Sequence, residues 1–493
     1  MCNVETKFYN DQISLFPKKE LTSLTLPDTL SVIADISART SKSLDSVKKK
    51  NLSQYYTPFA VAEQMAELNN YHKGRLGDLG AGTGILGAIV LSKALVDSPS
   101  SASLSLRAYE VDKDVHGSFN CTIEAVEKWA IQCGKTKPNV TLMGDIRDDA
   151  DDILNGRLDN TLDSAIINPP YQKLGSQTEL SKLMRAHGIP VPNLYAAFVV
   201  LTVLMLKPGG DVVAILPRSF CSGTYFKKFR QWLRTHCSLD EIIRYKSRSN
   251  VFRGDNVLQE NVIIKLTKGV QQTACVRLSL CETAEHLPIH SMLLSKSDLF
   301  PIHTDSFLIP SDPDELKAIH NNNALPVSLY DMGLTVNTGK LEVQRCQEYI
   351  KTVATSHLDI PIVYAQHWCS DDKVLQWDSR KTSKPCYVEL TDNTEKKLIP
   401  SGHYIFIKRI SANDDRSGRC HPVIVKPSSI PGKQWAIDNH IQIISCYASD
   451  YPEDISSQLF ERLSSEEVDH LLRATSGTTQ LNVADISSVR FNH

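Results

Sequence analysis

From about residue 51 to 270, short apolar runs alternate with longer stretches of helical period. The runs are RLGDL (75–79), SLRAYEV (105–111), NVTLM (139–143), SAIIN (164–168), DVVAILP (211–217), DEIIRY (240–245) and ENVIIKL (260–266). Their lengths suit strands, and turn residues bound them. Between them lie TGILGAIVLSKAL (83–95), NLYAAFVVLTVLML (193–206) and TYFKKFRQWLRT (224–235), which read as helices. Such alternation predicts a doubly wound α/β sheet. The stretch 193–206 is apolar nearly all round, which predicts a helix buried against that sheet.

The pattern changes on either side. Residues 1–50 read as a polar helical segment closing on Lys48, Lys49 and Lys50. Residues 271–330 are punctuated by Pro288, Pro301, Pro310, Pro313 and Pro326 and read as a connecting region. Residues 331–493 mix strand-like pieces (DIPIVYA, HYIFIKRI, HPVIVKP, HIQIISCY) with a helical tail from about Ser456 to Thr475. No internal repeat is visible.

Composition narrows the function classes only modestly. The 493 residues are 41% hydrophobic and 22% charged, as in an ordinary globular chain of two or three domains. No apolar run is long enough to span a membrane, and MCNVETKFYNDQ lacks the features of a signal peptide. A cytoplasmic location is therefore expected, with no membrane partner. Twelve cysteines form no C-x-x-C pair or zinc-spaced cluster, so reduced thiols and no metal are expected. A net charge of −2 means that a polyanion would have to meet a local basic surface.

Candidate chemistry gathers at the strand ends. After the first strand comes DLGAGTG, Asp78 to Gly84, in which the strand-end acid Asp78 can hold a cationic group of a ligand and Gly80, Ala81 and Gly82 let the backbone approach it. It is neither a clean G-x-G-x-x-G nor a P-loop. The second strand ends at Glu110, placed to accept from ribose hydroxyls. The third ends at Asp145, beside Ile146, placed to accept from an adenine amino group. Acidic residues ending three strands suit a cofactor with amino, ribose and adenine groups and no pyrophosphate. S-adenosylmethionine fits that description better than NAD. Ordinary helix capping is the competing role for Glu110 and Asp145. Upstream, Thr57-Pro58 reads as a helix start with Thr57 as N-cap, or as a helix N-terminus holding a carboxylate.

The fourth strand runs into Asn168-Pro169-Pro170-Tyr171. Prolines supply no N–H and cannot continue a central strand. The Asn168 side-chain oxygen and the Pro169 carbonyl can both accept from one NH2 group. That favours a tetrahedral nitrogen and frees its lone pair to attack a methyl sulfonium. Tyr171 offers a stacking face for a base. The competing role is a rigid strand-ending turn.

The order TP-helix, DLGAGTG, YEVD, GDI, NPPY, NLYAAF, GGDVVAILPRSF resembles that of the gamma-class adenine-specific DNA methyltransferases. These are the TaqI-like modification methylases, including those of the PstI and BsuBI kind. The resemblance covers roughly residues 50–270 and extends loosely to MGLTVNTGKL (332–341) and TSGTTQLNVADI (475–486). It implies a Rossmann-like S-adenosylmethionine-dependent methyltransferase domain with a seven-stranded mixed sheet over residues 51–270. It also implies a C-terminal α+β target recognition domain over 331–493. By the same resemblance Thr57 contacts the methionine part of the cofactor, Glu110 its ribose and Asp145 its adenine. Asn168 to Tyr171 hold the target amine, and Phe252 stacks on the other face of the flipped adenine. The glycine-rich loop departs from the TaqI version, which leaves its individual contacts open.

A base must leave the duplex to reach such a pocket, so phosphates must be gripped. Residues 218–253 hold nine Lys/Arg against two acids, a net of +7. Lys227, Lys228, Arg230, Arg234, Arg248 and Arg253 are the candidate contacts to double-stranded DNA. Base reading is expected from 331–493, where QHWCSDDK (366–373) and KRISANDDRSGR (408–419) are rich in hydrogen-bonding groups. RNA adenine, a protein glutamine, or a need for a separate specificity protein are the alternatives. SDPDELK (311–317) reads as a capped helix start rather than a nuclease site, so any cognate restriction endonuclease is expected as a separate chain.

Overall fold

The computed structural model describes residues 25–44, 56–245, 260–269, 275–285, 288–301, 304–411, 415–446, 453–475 and 479–492. The chain divides into two units, residues 1–218 with 228–295, and residues 219–227 with 296–493.

The first unit is built on a mixed sheet. Its strands are β1 (Gly74–Leu79), β2 (Leu104–Tyr109), β3 (Asn139–Met143), β4 (Leu162–Ile167), β5 (Leu206–Pro217), β6 (Cys237–Tyr245), β7 (Asn261–Lys268), β8 (Cys275–Cys281) and β9 (His290–Ser295). Their order is β3-β2-β1-β4-β5-β7-β6-β8-β9. β1 to β5 are mutually parallel where they pair, and β7 runs antiparallel to both β5 and β6. The sheet therefore has nine strands, not seven. β8 pairs parallel with β6, and β9 closes on β8 as an antiparallel neighbour. Prolines had marked residues 271–330 as a connection. Yet Val276, Leu278 and Leu280 alternate towards the core, which is the period-2 signature of a half-buried strand.

The strand order reverses between β1 and β4. Crevices at the carboxyl ends of such neighbours are where open α/β sheets bind ligands. Two helices flanking this point are almost wholly buried, Ile85–Asp97 and Leu194–Met205. The second has the all-round apolar character expected of it. The buried Thr202 hydroxyl donates to the Phe198 carbonyl at 2.7 Å. The helix Leu26–Ser43 is closed by a reciprocal cap between Thr25 and Asp28. It packs its Thr29, Ile33, Ser37 and Thr40 face inward. Among the described residues no helix is long and apolar enough to cross a membrane.

The second unit is α+β. Leu334–Thr338, Ile441–Cys446, Tyr404–Lys408 and Pro422–Val425 form a four-stranded antiparallel sheet, in that order. Short strands around Asp359–Val363 and Gln434–Ile437 form a second sheet. The helical tail is two helices, Glu453–Leu463 and Glu466–Thr475, broken at Ser464 and Ser465. Leu459, Leu463, Val468, Leu471 and Leu472 join Ile405, Ile407 and Ile444 in one core. SDPDELK opens the helix Pro313–Ala324 as expected: the Asp312 carboxylate accepts the Glu315 N–H at 2.8 Å.

Candidate active site

A pocket of about 770 Å³, including its open mouth, lies at the β1, β2, β3 and β4 ends. Of the cofactor residues expected from the sequence, Thr57, Gly80, Ala81, Gly82, Glu110, Asp145, Ile146 and Asn168 all line it. Pro170 lines it too.

The floor is the turn after β1. The Gly80 and Ala81 N–H groups both donate to the Tyr109 carbonyl at 2.9 Å, tying the loop to the end of β2. Gly84 has φ +79°, and a Cβ there would stand 2.8 Å from the Phe119 ring. Only glycine satisfies both constraints, because a left-handed backbone with a close neighbour excludes a side chain. The loop then passes directly into the helix Ile85–Asp97.

Glu110 is 7% exposed. Its two oxygens accept the Gly82 N–H at 2.8 Å and the Asp112 N–H at 2.7 Å. Burial pushes its carboxyl upward, and these two N–H donors oppose that shift. Each oxygen keeps a lone pair, as a ligand hydroxyl would require. Asp145 accepts the Arg147 N–H at 2.9 Å and the Arg147 Nε–H at 2.6 Å. Ile146 and the half-exposed Val111 supply apolar lining between these two acids.

Asp78 stands elsewhere. It is fully buried and does not line the pocket. Its Oδ2 accepts the Gly87 N–H at 3.0 Å, while Oδ1 has no hydrogen-bond partner among the described residues. Burial pushes its carboxyl up to about 7, with Glu110 adding to the shift. Here Asp78 fastens the glycine turn to the following helix from beneath.

At the end of β4, the Asn168 Nδ2 donates to the Thr57 Oγ1 at 3.0 Å. The Tyr171 hydroxyl donates to Asn168 Oδ1 at 3.3 Å and to the Ile215 carbonyl at 3.4 Å. Pro169 is buried, and Pro170 and Tyr171 are partly exposed. The turn is held by backbone bonds across to the start of the buried helix: Leu194 N–H to the Gln172 carbonyl at 2.9 Å, and Leu174 N–H to the Pro192 carbonyl at 3.3 Å. Thr57 does not cap the helix Phe59–Leu68; Pro58 stands at its N-cap with no side-chain cap bond.

Some pocket residues escape sequence reasoning. Tyr56, Thr83, Tyr109, Val111, Gly144 and Phe198 line it as well. Tyr195, one turn before Phe198, meets the Tyr171 ring edge-on at 6.1 Å. The signal for these two was present in NLYAAF: a helix apolar all round still has one face towards the site.

Phe252, Arg248 and Arg253 lie outside the described residues. Of the remaining basic candidates, Lys227, Lys228 and Arg234 are exposed, and Lys227 pairs with Asp305 at 2.6 Å. Arg230 is only 2% exposed. Helical period turns it to the same side as the buried Phe229 and Leu233, so its guanidinium is not offered to a phosphate. Among the described residues no cluster of His, Cys, Asp or Glu could hold a metal ion.

The arrangement has counterparts. The chain is 31% identical over 94% of its length to the type II methyltransferase M.PstI of Providencia stuartii, covering 92% of that protein. It belongs to the type II methyltransferase family. M.BsuBI of Bacillus subtilis is 28% identical over 90% of this methyltransferase and 88% of its own length. Residues 117–252 match the Eco57I restriction-modification methylase family. The type IIL restriction-modification enzyme MmeI, solved in complex with DNA, superposes with a TM-score of 0.54. That match spans 92% of this methyltransferase and 70% of MmeI at 12% identity, so it speaks for the fold alone. Membership in a methyltransferase family supports S-adenosylmethionine as the cofactor. The donor set fits that molecule: acids at the ends of β2 and β3, an apolar strip between them and a glycine floor.

Proposed function

We propose that this type II methyltransferase moves a methyl group from S-adenosylmethionine to the exocyclic N6 of an adenine flipped out of double-stranded DNA. The observation that carries this reading is the placement of Asn168 and Pro170 in the wall of the pocket that also holds Glu110 and Asp145. Bound there, S-adenosylmethionine supplies an electrophilic methyl group. Glu110 is suited to receive ribose hydroxyls, and Asp145 an adenine amino group. Gly80, Ala81 and Gly82 bring bare backbone to the ligand, and Thr57 stands beside Asn168.

The target nitrogen is a poor nucleophile because its lone pair is conjugated into the ring. Asn168 Oδ1 and the Pro169 carbonyl accept its two hydrogens and draw it towards tetrahedral geometry. Tyr171 provides a face for the base, with Phe252 assigned to the opposite face by resemblance. Such acceptors, held rigid before reaction, act chiefly by electrostatic preorganisation. Pro169 and Pro170 contribute that rigidity. Base flipping is required because the amine of a stacked base cannot reach a strand-end pocket.

Residues 331–493, which lie within the second unit, are assigned to target recognition, and Lys227, Lys228 and Arg234 to phosphate contacts. A separately encoded restriction endonuclease is the expected counterpart, with this chain protecting host DNA in a bacterial cytoplasm. The relatives' own names support a restriction-modification setting.

The test is purified full-length protein with methyl-labelled S-adenosylmethionine and bacterial genomic DNA, followed by nucleoside analysis. Label in N6-methyladenine at one short sequence is expected. Label in N4-methylcytosine would transfer the same chemistry to another base. Label in RNA or protein alone would overturn the DNA assignment.

A further inference from the structure

We propose that Tyr109 is a positioning residue for the cofactor: its hydroxyl, donated to Asp149, holds the turn after β3 so that Asp145 faces the pocket. This rests on the reading of Asp145 as the acceptor of an adenine amino group.

The turn needs such a hold. β2 and β3 are paired as far as Tyr109 and Met143, and the Glu110 N–H still reaches the Met143 carbonyl at 3.3 Å. Next come Gly144, which brings no side chain, and Asp145. Residues 145–150 then coil in consecutive turns. The Asp148, Asp149 and Ala150 N–H groups donate to the Asp145, Ile146 and Arg147 carbonyls at 3.1, 3.2 and 3.3 Å. These bonds set the shape of the turn, not its orientation to β2. Ile146, Ala150 and Ile153 are buried, but apolar packing is non-directional.

The Tyr109 hydroxyl supplies the direction. It donates to Asp149 Oδ2 at 2.7 Å, across 40 positions of sequence. A carboxylate only accepts, so donor and acceptor cannot exchange in this bond. Burial and the bond to Asp149 both push the phenol upward, which keeps its proton in place. Asp149 stands at the N-cap of the helix Ala150–Leu154 but makes no side-chain cap bond, so its carboxylate is not committed to that helix. The Tyr109 carbonyl meanwhile accepts the Gly80 and Ala81 N–H groups. One residue thus ties both the glycine turn and the β3 turn to the end of β2.

The group so held is already preset. Asp145 Oδ1 accepts the Arg147 N–H, and Oδ2 faces the Arg147 Nε–H and a second guanidinium nitrogen. Oδ1 therefore keeps one lone pair for a ligand. Asp145 and Arg147 belong to the same turn and move together, so the orientation of the turn decides where that lone pair points.

The test compares two ligands of the full-length protein by calorimetry: S-adenosylhomocysteine and its 6-deamino analogue, which carries hydrogen in place of the adenine amino group. Weakening of any shared contact cancels in the ratio of the two affinities. The unaltered protein is expected to prefer S-adenosylhomocysteine by about ten- to a hundredfold, the range of one charge-assisted hydrogen bond. Tyr109→Phe keeps the ring, over which the Arg107 guanidinium stands at 5.9 Å, and removes only the hydroxyl. It should narrow the preference by about three- to tenfold and leave affinity for the deamino analogue within about twofold, a change of only a few tenths of a tenfold step. Asp149→Ala should narrow it equally, the double variant no further, and Asp149→Asn, which keeps an accepting oxygen, much less. If Tyr109→Phe does not fold, the contrast between Asp149→Ala and Asp149→Asn gives the same reading. An unchanged preference in Tyr109→Phe and Asp149→Ala would overturn the proposal, as would equal weakening of both ligands. A lack of preference in the unaltered protein, while it binds S-adenosylhomocysteine, would instead overturn the reading of Asp145, and the proposal with it.

Discussion

In the first unit Glu110, Asp145 and Asn168 end their strands and line a pocket. In the second, His367, Trp368 and Arg419 carry as many hydrogen-bonding atoms but are buried, and much of that capacity is spent on backbone. The His367 Nδ1 accepts the Tyr364 N–H at 3.0 Å. Trp368 Nε1 donates to the His421 carbonyl at 3.2 Å. The Arg419 guanidinium donates to the Ser411 carbonyl. All three come from stretches singled out for their polar content, QHWCSDDK and KRISANDDRSGR. The lesson is that polar letters gain functional meaning from an element that aims them. A strand end at a switch point does so; a polar loop does not.

Substitutions at both places sharpen this contrast. Asn168→Ala should have the largest effect, lowering transfer by about a hundredfold or more, as expected for a lost transition-state partner. Cofactor-product affinity, measured by calorimetry, should change little. In the second unit, Trp368→Ala should act on stability instead, costing about 3–5 kcal/mol by cavity formation. Denaturant unfolding would register it, and a surface base-reading role for Trp368 would predict no such cost. Glu110→Gln should weaken S-adenosylhomocysteine by about 1.5–3 kcal/mol, the size of one charged hydrogen bond. It should also loosen the Gly82 turn, which hydrogen exchange would report.

A smaller pair of effects concerns pH. Burial lowers the His367 imidazole to about 4, with Lys381 adding to the shift. The unfolded chain then binds the proton first, so stability is lost as pH falls from about 6.5 towards 4. Asp78 runs the other way. Its carboxyl is raised to about 7, so the folded state holds the proton longer, and stability declines as pH rises from about 4 towards 7. His367→Phe should flatten the acid limb and Asp78→Asn the other, in melting curves across that range. Equal slopes in variant and parent would remove the assigned cause.

Much of the first unit was legible because its signals are local. Strand lengths, the DLGAGTG turn and the prolines after Asn168 each constrain the backbone where they stand. The β8–β9 pair was hidden because Pro288 falls between the two strands and more prolines follow, although Val276, Leu278 and Leu280 kept the strand period. Arg230 was misplaced because a charge count ignores which helix face a residue occupies. Thr57 was legible as a pocket residue, but its bond from Asn168 was not, because the two stand 111 positions apart and locally Thr-Pro looks like a helix cap. Asp78 was read as a ligand because strand-end acids often are, yet its side chain turns to the Gly87 N–H behind the loop.

The proposed role of Asn168, at the end of β4, is to accept from the target amine while it is methylated in DNA. The most direct measurement is nucleoside mass spectrometry on DNA from bacteria expressing either the unaltered chain or Asn168→Ala, with both proteins purified and shown to bind S-adenosylhomocysteine. N6-methyladenine with the first and none with the second is the predicted result. Equal methylation in both, or none in either despite cofactor-product binding, would contradict it.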